Sequence, residues 1–201
     1  MKILVVGATG VIGTAVADTL AKRHQVVRAS RKGEVKVDLE DSASIRHVFE
    51  QVKDLDAVVC TAGNAAFKPL AQLSEEDFAL SLRSKLMGQV NLVRIGAQHI
   101  RDGGSITLTG GALAHEPLVG GAAVSLVNAA LEGFVMGAAI EIQRGLRVNL
   151  VSPPWITETL RALGMDSKGG IPAAICARAY VAAVEGRETG KTIDAREFAR
   201  A

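Results

Sequence analysis

Residues 3–13, Ile3-Leu4-Val5-Val6-Gly7-Ala8-Thr9-Gly10-Val11-Ile12-Gly13, decide how this chain folds. Four apolar residues in a row read as a buried strand, and an amphipathic run begins at Val11. The spacing between them is G-x-x-G-x-x-G, which gives each glycine a task. Gly7 turns the chain sharply out of the strand. Gly10 leaves bare backbone for the close approach of a pyrophosphate. Gly13 lets the following helix lie close on the sheet. The first helical N–H groups lack partners and stand at the positive end of the helix dipole, so they favour an anion. A glycine motif carries weight only between a strand and a helix, which is where this one lies. A dinucleotide held here would touch Gly7, Thr9, Gly10, Val11 and Ile12.

Outward from this loop, short apolar runs alternate with amphipathic stretches. Strands are predicted at 3–6, 25–29, 35–37, 57–60, 105–109, 147–151 and 192–194. Helices are predicted near 11–22, 43–53, 75–99, 121–144 and 172–185, the third being two helices joined without a clear break. The alternation implies an α/β fold: a Rossmann-type, doubly wound parallel sheet of about seven strands in a three-layer αβα sandwich. Only residues 30–34 separate the second and third predicted strands. A parallel crossover normally takes a dozen or more residues. The second crossover is therefore reduced to a bare loop, and the third strand should be short or irregular. No linker or repeat interrupts the pattern, which predicts a single domain over 1–201.

Composition narrows the class. The chain is 48% apolar but only 3% aromatic, so its core must be built from aliphatic side chains, as when strands are covered on both faces. A net charge of +2, with no basic stripe interleaved with aromatics, argues against nucleic acid. No run of 18 uninterrupted apolar residues suggests a membrane span, and the amino terminus lacks a cleavage site. Cys60 and Cys176 have no metal-ligand spacing and read as reduced, buried thiols of a cytoplasmic protein.

The residues after the second strand bear on which dinucleotide is bound. An acidic side chain there holds ribose hydroxyls, whereas a basic one accommodates a 2′-phosphate. The chain reads Arg28-Ala29-Ser30-Arg31-Lys32 and offers no carboxylate. Arg31 can grip a phosphate with two N–H groups and Ser30 can donate to it, so NADP is expected.

Further stretches resemble the short-chain dehydrogenase/reductase family. Val37-Asp38-Leu39 is similar to its Asp-Leu step, and Cys60-Thr61-Ala62-Gly63 to its Asn-Asn-Ala-Gly motif. Asn128-Ala129-Ala130-Leu131-Glu132-Gly133 resembles the start of the active-site helix, and Arg147-Val148-Asn149-Leu150-Val151-Ser152-Pro153 a strand-six signature. Thr189-Gly190-Lys191-Thr192-Ile193-Asp194 resembles the last strand. The resemblance adds Asp38, Leu39, Thr61, Ala62, Gly63 and Pro153 to the cofactor contacts. It also implies an Asn-Ser-Tyr-Lys active site, and there the chain departs from the family. Val124 stands at the tyrosine position, Asn128 at the lysine, Gly110 or Gly111 at the serine and Lys85 at the asparagine. Valine transfers no proton.

Lys85 and His115 are the remaining candidates for catalysis, Lys85 from a different helix than the family's lysine and His115 because imidazole as a group suits proton transfer near neutrality. Ser125 and Thr109 are possible hydroxyl donors. Tyr180, the only tyrosine, reads as structural. Two functions compete: an NADP(H)-dependent oxidoreductase acting on a small carbonyl or imine compound through a non-standard site, or a non-catalytic NADP(H)-binding sensor or regulatory protein. The 121–144 helix is apolar almost all round, so one side faces the sheet and the other a partner, which predicts a homodimer or homotetramer.

Overall fold

A computed structural model describes residues 1–199. Its centre is a seven-stranded sheet, parallel throughout, in the order β3-β2-β1-β4-β5-β6-β7. The strands are β1 (Lys2–Val6), β2 (Gln25–Ser30), β3 (Val35–Lys36), β4 (Leu55–Cys60), β5 (Ile100–Thr109), β6 (Arg147–Ser152) and β7 (Thr192–Asp194). The order reverses between β1 and β4. In open α/β sheets a crevice for ligands opens at such a point, beyond the carboxyl ends of the strands.

Helices cover both faces: α1 (Val11–Leu20), α2 (Ser42–Gln51), α3 (Glu75–Ser81), α4 (Gly88–Gly96), α5 (Ala122–Glu141), α6 (Thr157–Ala162) and α7 (Ala173–Glu185). One core layer packs Ile45, Val48, Phe49, Leu92, Leu131 and Val135 from α2, α4 and α5 against Leu4, Val58, Ile106 and Val148. The other packs Val16, Leu20, Cys176 and Tyr180 from α1 and α7 against Ile3, Val5, Ala57 and Val59. The alternate residues of each central strand thus serve opposite layers, which is why these strands read as unbroken apolar runs.

The reduced second crossover is present as expected. Four residues, 31–34, return the chain to pair parallel with β2, Ala29 beside Val35 and Ser30 beside Lys36. Gly33 makes the loop this tight, because a Cβ there would stand 2.8 Å from Ser30 Oγ. With no crossover helix above them, Val26 and Val27 of β2 stay only half-buried.

Several boundaries differ from the sequence pattern. The third strand ends at Lys36, not at 37. The fifth begins at Ile100, five residues early, and slips register against β4 between its pairs with Leu55 and Ala57. Gly103 and Gly104 hid this start. The predicted 75–99 helix is α3 and α4 joined through a π-helical turn at Leu82–Met87 and closed by a 3-10 turn. Its start is fixed by a capping box, in which Ser74 Oγ accepts the Asp77 N–H at 3.2 Å and Asp77 Oδ2 accepts the Ser74 N–H at 3.0 Å. Helix α6 has too few residues to leave a periodic signal. Helix α5 is long and apolar enough, by length and composition alone, to cross a membrane. Here its inner face, Ala123, Val127, Leu131 and Val135, lies in the core.

Candidate functional site

Gly7 leaves β1 with φ +85, a left-handed backbone that favours glycine. Its N–H donates to the Ala29 carbonyl, and its own carbonyl accepts the Gly10 N–H at 3.0 Å. Thr61 Oγ1 ties the turn down by donating to Val6 and Gly7 carbonyls at 3.0 and 3.3 Å. Gly13 is pressed so close that a Cβ would stand 2.6 Å from Thr61 Oγ1. Gly10, by contrast, has only Gly7 O within reach of a Cβ, at 3.5 Å. Its bare face is turned outward, which suits a ligand's approach.

This loop forms one wall of a cavity of about 310 Å3 at the sheet's reversal point. Of the residues expected to hold a dinucleotide, Gly7, Thr9, Gly10, Ser30, Arg31, Asp38, Leu39, Thr61, Ala62 and Gly63 all line it. Val11, Ile12 and Pro153 are not among its lining residues. Val11 is exposed on α1, Ile12 packs into the core layer behind the loop, and Pro153 is buried with its carbonyl accepting the Ala112 N–H at 2.9 Å. Asp38 bends its carboxylate back to accept the Glu40 N–H at 3.0 Å.

At one end of the cavity, Ser30 Oγ is buried without a hydrogen-bond partner, and Arg31 makes no hydrogen bond or ion pair among the described residues. The cavity wall also includes Glu40, Asn64 and Ser84, which sequence reasoning passed over. Glu40 corrects the view that no carboxylate is near. A hydrogen bond from Arg83 Nε at 2.9 Å holds it below the usual carboxylate range, with smaller help from Ser84 and Arg31. Arg83 occupies that carboxylate, so Arg31 stays available. Glu40 lies ten residues beyond β2, on a loop whose fold back to the groove no local pattern announces.

Lys85 lies just past the cavity wall rather than on it. The π-helical turn carries it one residue beyond the cavity-lining Ser84. The Gly63 backbone makes room for it, since a Cβ there would stand 2.9 Å from Lys85 Cα. Its Nζ donates to the Gly110 carbonyl at 3.2 Å, and burial lowers its pKa from the ordinary 10.5 to about 8. Gln89, fully buried, fixes both ends of this contact. Its Oε1 accepts the Thr109 N–H at 2.8 Å, and its Nε2 donates to the Thr109 and Lys85 carbonyls at 2.9 and 3.3 Å. β5 pairs with β4 only as far as Thr107, and beyond it this amide takes the place of a strand. Asn128 Nδ2 donates to the next carbonyl, Gly111 O, at 3.3 Å, leaving its buried Oδ1 without a partner.

The remaining candidates are placed apart. His115 is exposed, and its Nε2 lies 2.6 Å from Glu132 of α5. Glu116 pairs instead with Arg196 at 2.6 Å. Thr109 Oγ1 donates to the Cys60 carbonyl at 2.6 Å and is bonded to Tyr180 at 2.7 Å, so it is no free donor. Tyr180 is fully buried, as is Cys60, whose thiol burial pushes up to about 12; neither offers a mobile proton. Ser125 Oγ is buried and unpartnered. Among the described residues no group of three or more His, Cys, Asp or Glu could hold a metal.

Comparison with known proteins gives concordant results. Residues 6–193 match a family model described as enoyl-(acyl carrier protein) reductase. The chain is 28% identical over 196 residues to the 3-oxoacyl-[acyl-carrier-protein] reductase FabG of Escherichia coli, covering 86% of this chain and 80% of that one. The crystal structure of the protein lin1944 from Listeria innocua shares 41% identity and superposes with a TM-score of 0.93, over 96% of this chain and 98% of that one. A small-chain dehydrogenase crystallised in complex with NADPH shares 27% identity, with a TM-score of 0.85 over 96% and 95% of the two chains.

Proposed function

The chain belongs to the short-chain dehydrogenase/reductase family, and on that premise we propose that it is an NADP(H)-dependent oxidoreductase with a non-standard active site. Its substrate is a small carbonyl or imine compound, and a single domain over residues 1–201 does the work. The observation that carries this reading is a cavity with an ammonium just beyond its wall. Arg31 and the unpartnered Ser30 hydroxyl stand in the cavity, and Lys85, bonded to Gly110 O, follows directly on the lining residue Ser84.

The residues present fit a dinucleotide. Gly10 has open space where backbone must meet a pyrophosphate, and Arg31 is positioned to take a 2′-phosphate in two charge-assisted bonds. A dinucleotide held by these residues would supply hydride chemistry toward a carbonyl or imine carbon. As the π bond opens onto oxygen or nitrogen, Lys85 gives up the proton that the heteroatom takes, and water later restores it. With a pKa of about 8, Lys85 is charged at neutral pH yet transfers its proton far more readily than an ordinary lysine. His115, exposed beside Glu132 on the loop after β5, is the second candidate in this proposal. The protein acts as a homodimer or homotetramer through the outer stripe of α5, where Leu126, Met136 and Ile140 are exposed.

The test is NADPH oxidation against a panel of ketones and imines by the wild type and Lys85→Met. Turnover that collapses in the variant supports the reading. Tight NADPH binding with no turnover on any compound would instead favour the sensor, a reading that the hydrocarbon side chain of Val124 on the same face of α5 as Asn128 keeps open.

A further inference from the structure

We propose that Phe67 and Trp155 select the substrate class at this site: an uncharged compound with a flat, conjugated ring beside its carbonyl or imine. The proposal rests on the reading of Lys85 given above.

Phe67 stands on the loop after β4 and Trp155 on the loop after β6, the two strands that flank β5. Their rings meet edge to face across the carboxyl end of β5, with centroids 6.0 Å apart and planes at 79°. β5 ends at Thr109, and the next residue, Gly110, receives the Lys85 ammonium. Neither loop is free to drift. The Lys68 N–H donates to Gly120 O at 3.0 Å, the Ala66 N–H donates to Ser81 Oγ at 2.9 Å, and the Ala112 N–H donates to Pro153 O, two residues before Trp155. The chain has seven aromatic residues in all. Phe49 and Tyr180 are spent in the core, but Phe67 remains 48% exposed. Core packing does not account for a large ring left in water here.

Charge points the same way. The three loops meeting here, residues 61–69, 110–121 and 153–156, contain three ionisable side chains, Lys68, His115 and Glu116. Each is already engaged: Lys68 with Asp77 at 2.7 Å, His115 with Glu132 and Glu116 with Arg196. Apart from the Lys85 ammonium, whose proposed part is to give up its proton, a carboxylate or phosphate on the substrate would lose its hydration against these loops and find no free cation. A flat ring, in contrast, gains face and edge contacts with Phe67 and Trp155, worth about three- to tenfold in affinity.

Three probes separate these terms: acetophenone, which is flat and neutral; cyclohexyl methyl ketone, with the same carbon skeleton but puckered; and 4-acetylbenzoate, flat but anionic. Each is titrated by ligand-observed NMR into full-length protein saturated with NADP+, where no reduction can occur. Trp155 is the only tryptophan, so its single indole N–H resonance reports the site directly. Acetophenone should bind at least threefold more tightly than either competitor and shift that resonance. Phe67→Ala and Trp155→Ala should each erase the preference and leave NADP+ affinity unchanged, while Phe67→Tyr should keep it. Equal or tighter binding of the puckered or anionic ketone, or a preference that survives both alanine variants, overturns the proposal. The expected ranking without turnover of any compound would sink the oxidoreductase reading and leave this one standing. Turnover with the opposite ranking would do the reverse.

Discussion

The two ends of the groove are built by different means. The dinucleotide end is mostly backbone: Gly7 in a left-handed turn, Gly10 with its outer face open, Gly13 with no room for a Cβ, and a helix start behind them. The proposed reaction end is side chains: a lysine from a π-helical turn, a glutamine standing in for a strand and an asparagine from α5, all converging on residues 109–111. A backbone site tolerates little change in sequence, since a side chain would clash at Gly7 and Gly13 and stand in the ligand's way at Gly10. A side-chain site can be reached from several elements, and a proton donor can come from whichever helix lies near. The same fold can therefore keep its ligand while its chemistry is supplied from elsewhere.

The change expected to have the largest effect breaks the second end and spares the first. Lys85→Met should lower kcat by about a hundred- to ten-thousandfold, the usual worth of a general acid, and change NADPH affinity less than threefold. Steady-state rates on the best compound of the panel, with cofactor binding measured in parallel, check this. A loss confined to KM would show that Lys85 only binds.

A smaller effect is expected at the opposite end. Arg31→Ala should erode the preference for NADPH over NADH by about ten- to a hundredfold, the worth of one or two charge-assisted bonds to phosphate. Gly10→Val is the matching control. No other atom blocks a Cβ there, so the protein should fold, yet both cofactors should weaken alike. Titration of the two cofactors into each variant separates phosphate recognition from backbone access.

The same contrast explains what could be read without coordinates. Apolar runs and glycine spacing identified β1, the loop and α1, because those patterns follow from backbone geometry. The absent crossover helix after β2 followed from simple length. Glu40, Asn64 and Ser84 were missed because they reach the groove from loops and a helix set by tertiary packing. Lys85 was reachable by position, but its depressed pKa and its hold on Gly110 depend on Gly63 and Gln89, which are far apart in sequence. The partner of His115 is Glu132, seventeen residues away, rather than its neighbour Glu116. Pro153 carries a familiar motif but turns its carbonyl to Ala112 instead of the cavity.

A third, milder change is in pH. The Lys85 proton is present below about 8 and lost above it, so turnover should be level at neutral pH and fall about tenfold for each pH unit well past 8. Stability should move the other way. Between about 8 and the ordinary 10.5 the unfolded chain binds more protons at this residue than the folded one, so its contribution to stability rises with pH through that window. Rate profiles and urea denaturation at matched pH values test the two signs together. In Lys85→Met both trends should flatten.

The smallest change expected is a factor of two or four in mass, and it ties the reaction end to assembly. α5 gives its inner face to the core and to Asn128, while its outer stripe, Leu126, Met136 and Ile140, is exposed, Ile140 to 88%. Between these side chains, Gly133 and Gly137 have no atom within 4 Å of a would-be Cβ, so a second helix could approach closely. An apolar stripe of this length left in water is unfavourable, and covering it with a copy of itself removes it from both chains at once. Light scattering should therefore give a dimer or tetramer for the wild type. Met136→Asp combined with Ile140→Asp should give a monomer, since two carboxylates on each chain would meet their counterparts across a symmetric contact. The monomer should keep its NADPH affinity, because the glycine loop and Arg31 lie on the far side of β4 from α5. Its turnover should fall modestly if the partner steadies α5 and, through it, Asn128 and Glu132. A wild-type monomer at micromolar concentration would reject the interface, and loss of cofactor binding in the double variant would show that the two ends of the groove are less independent than their construction implies.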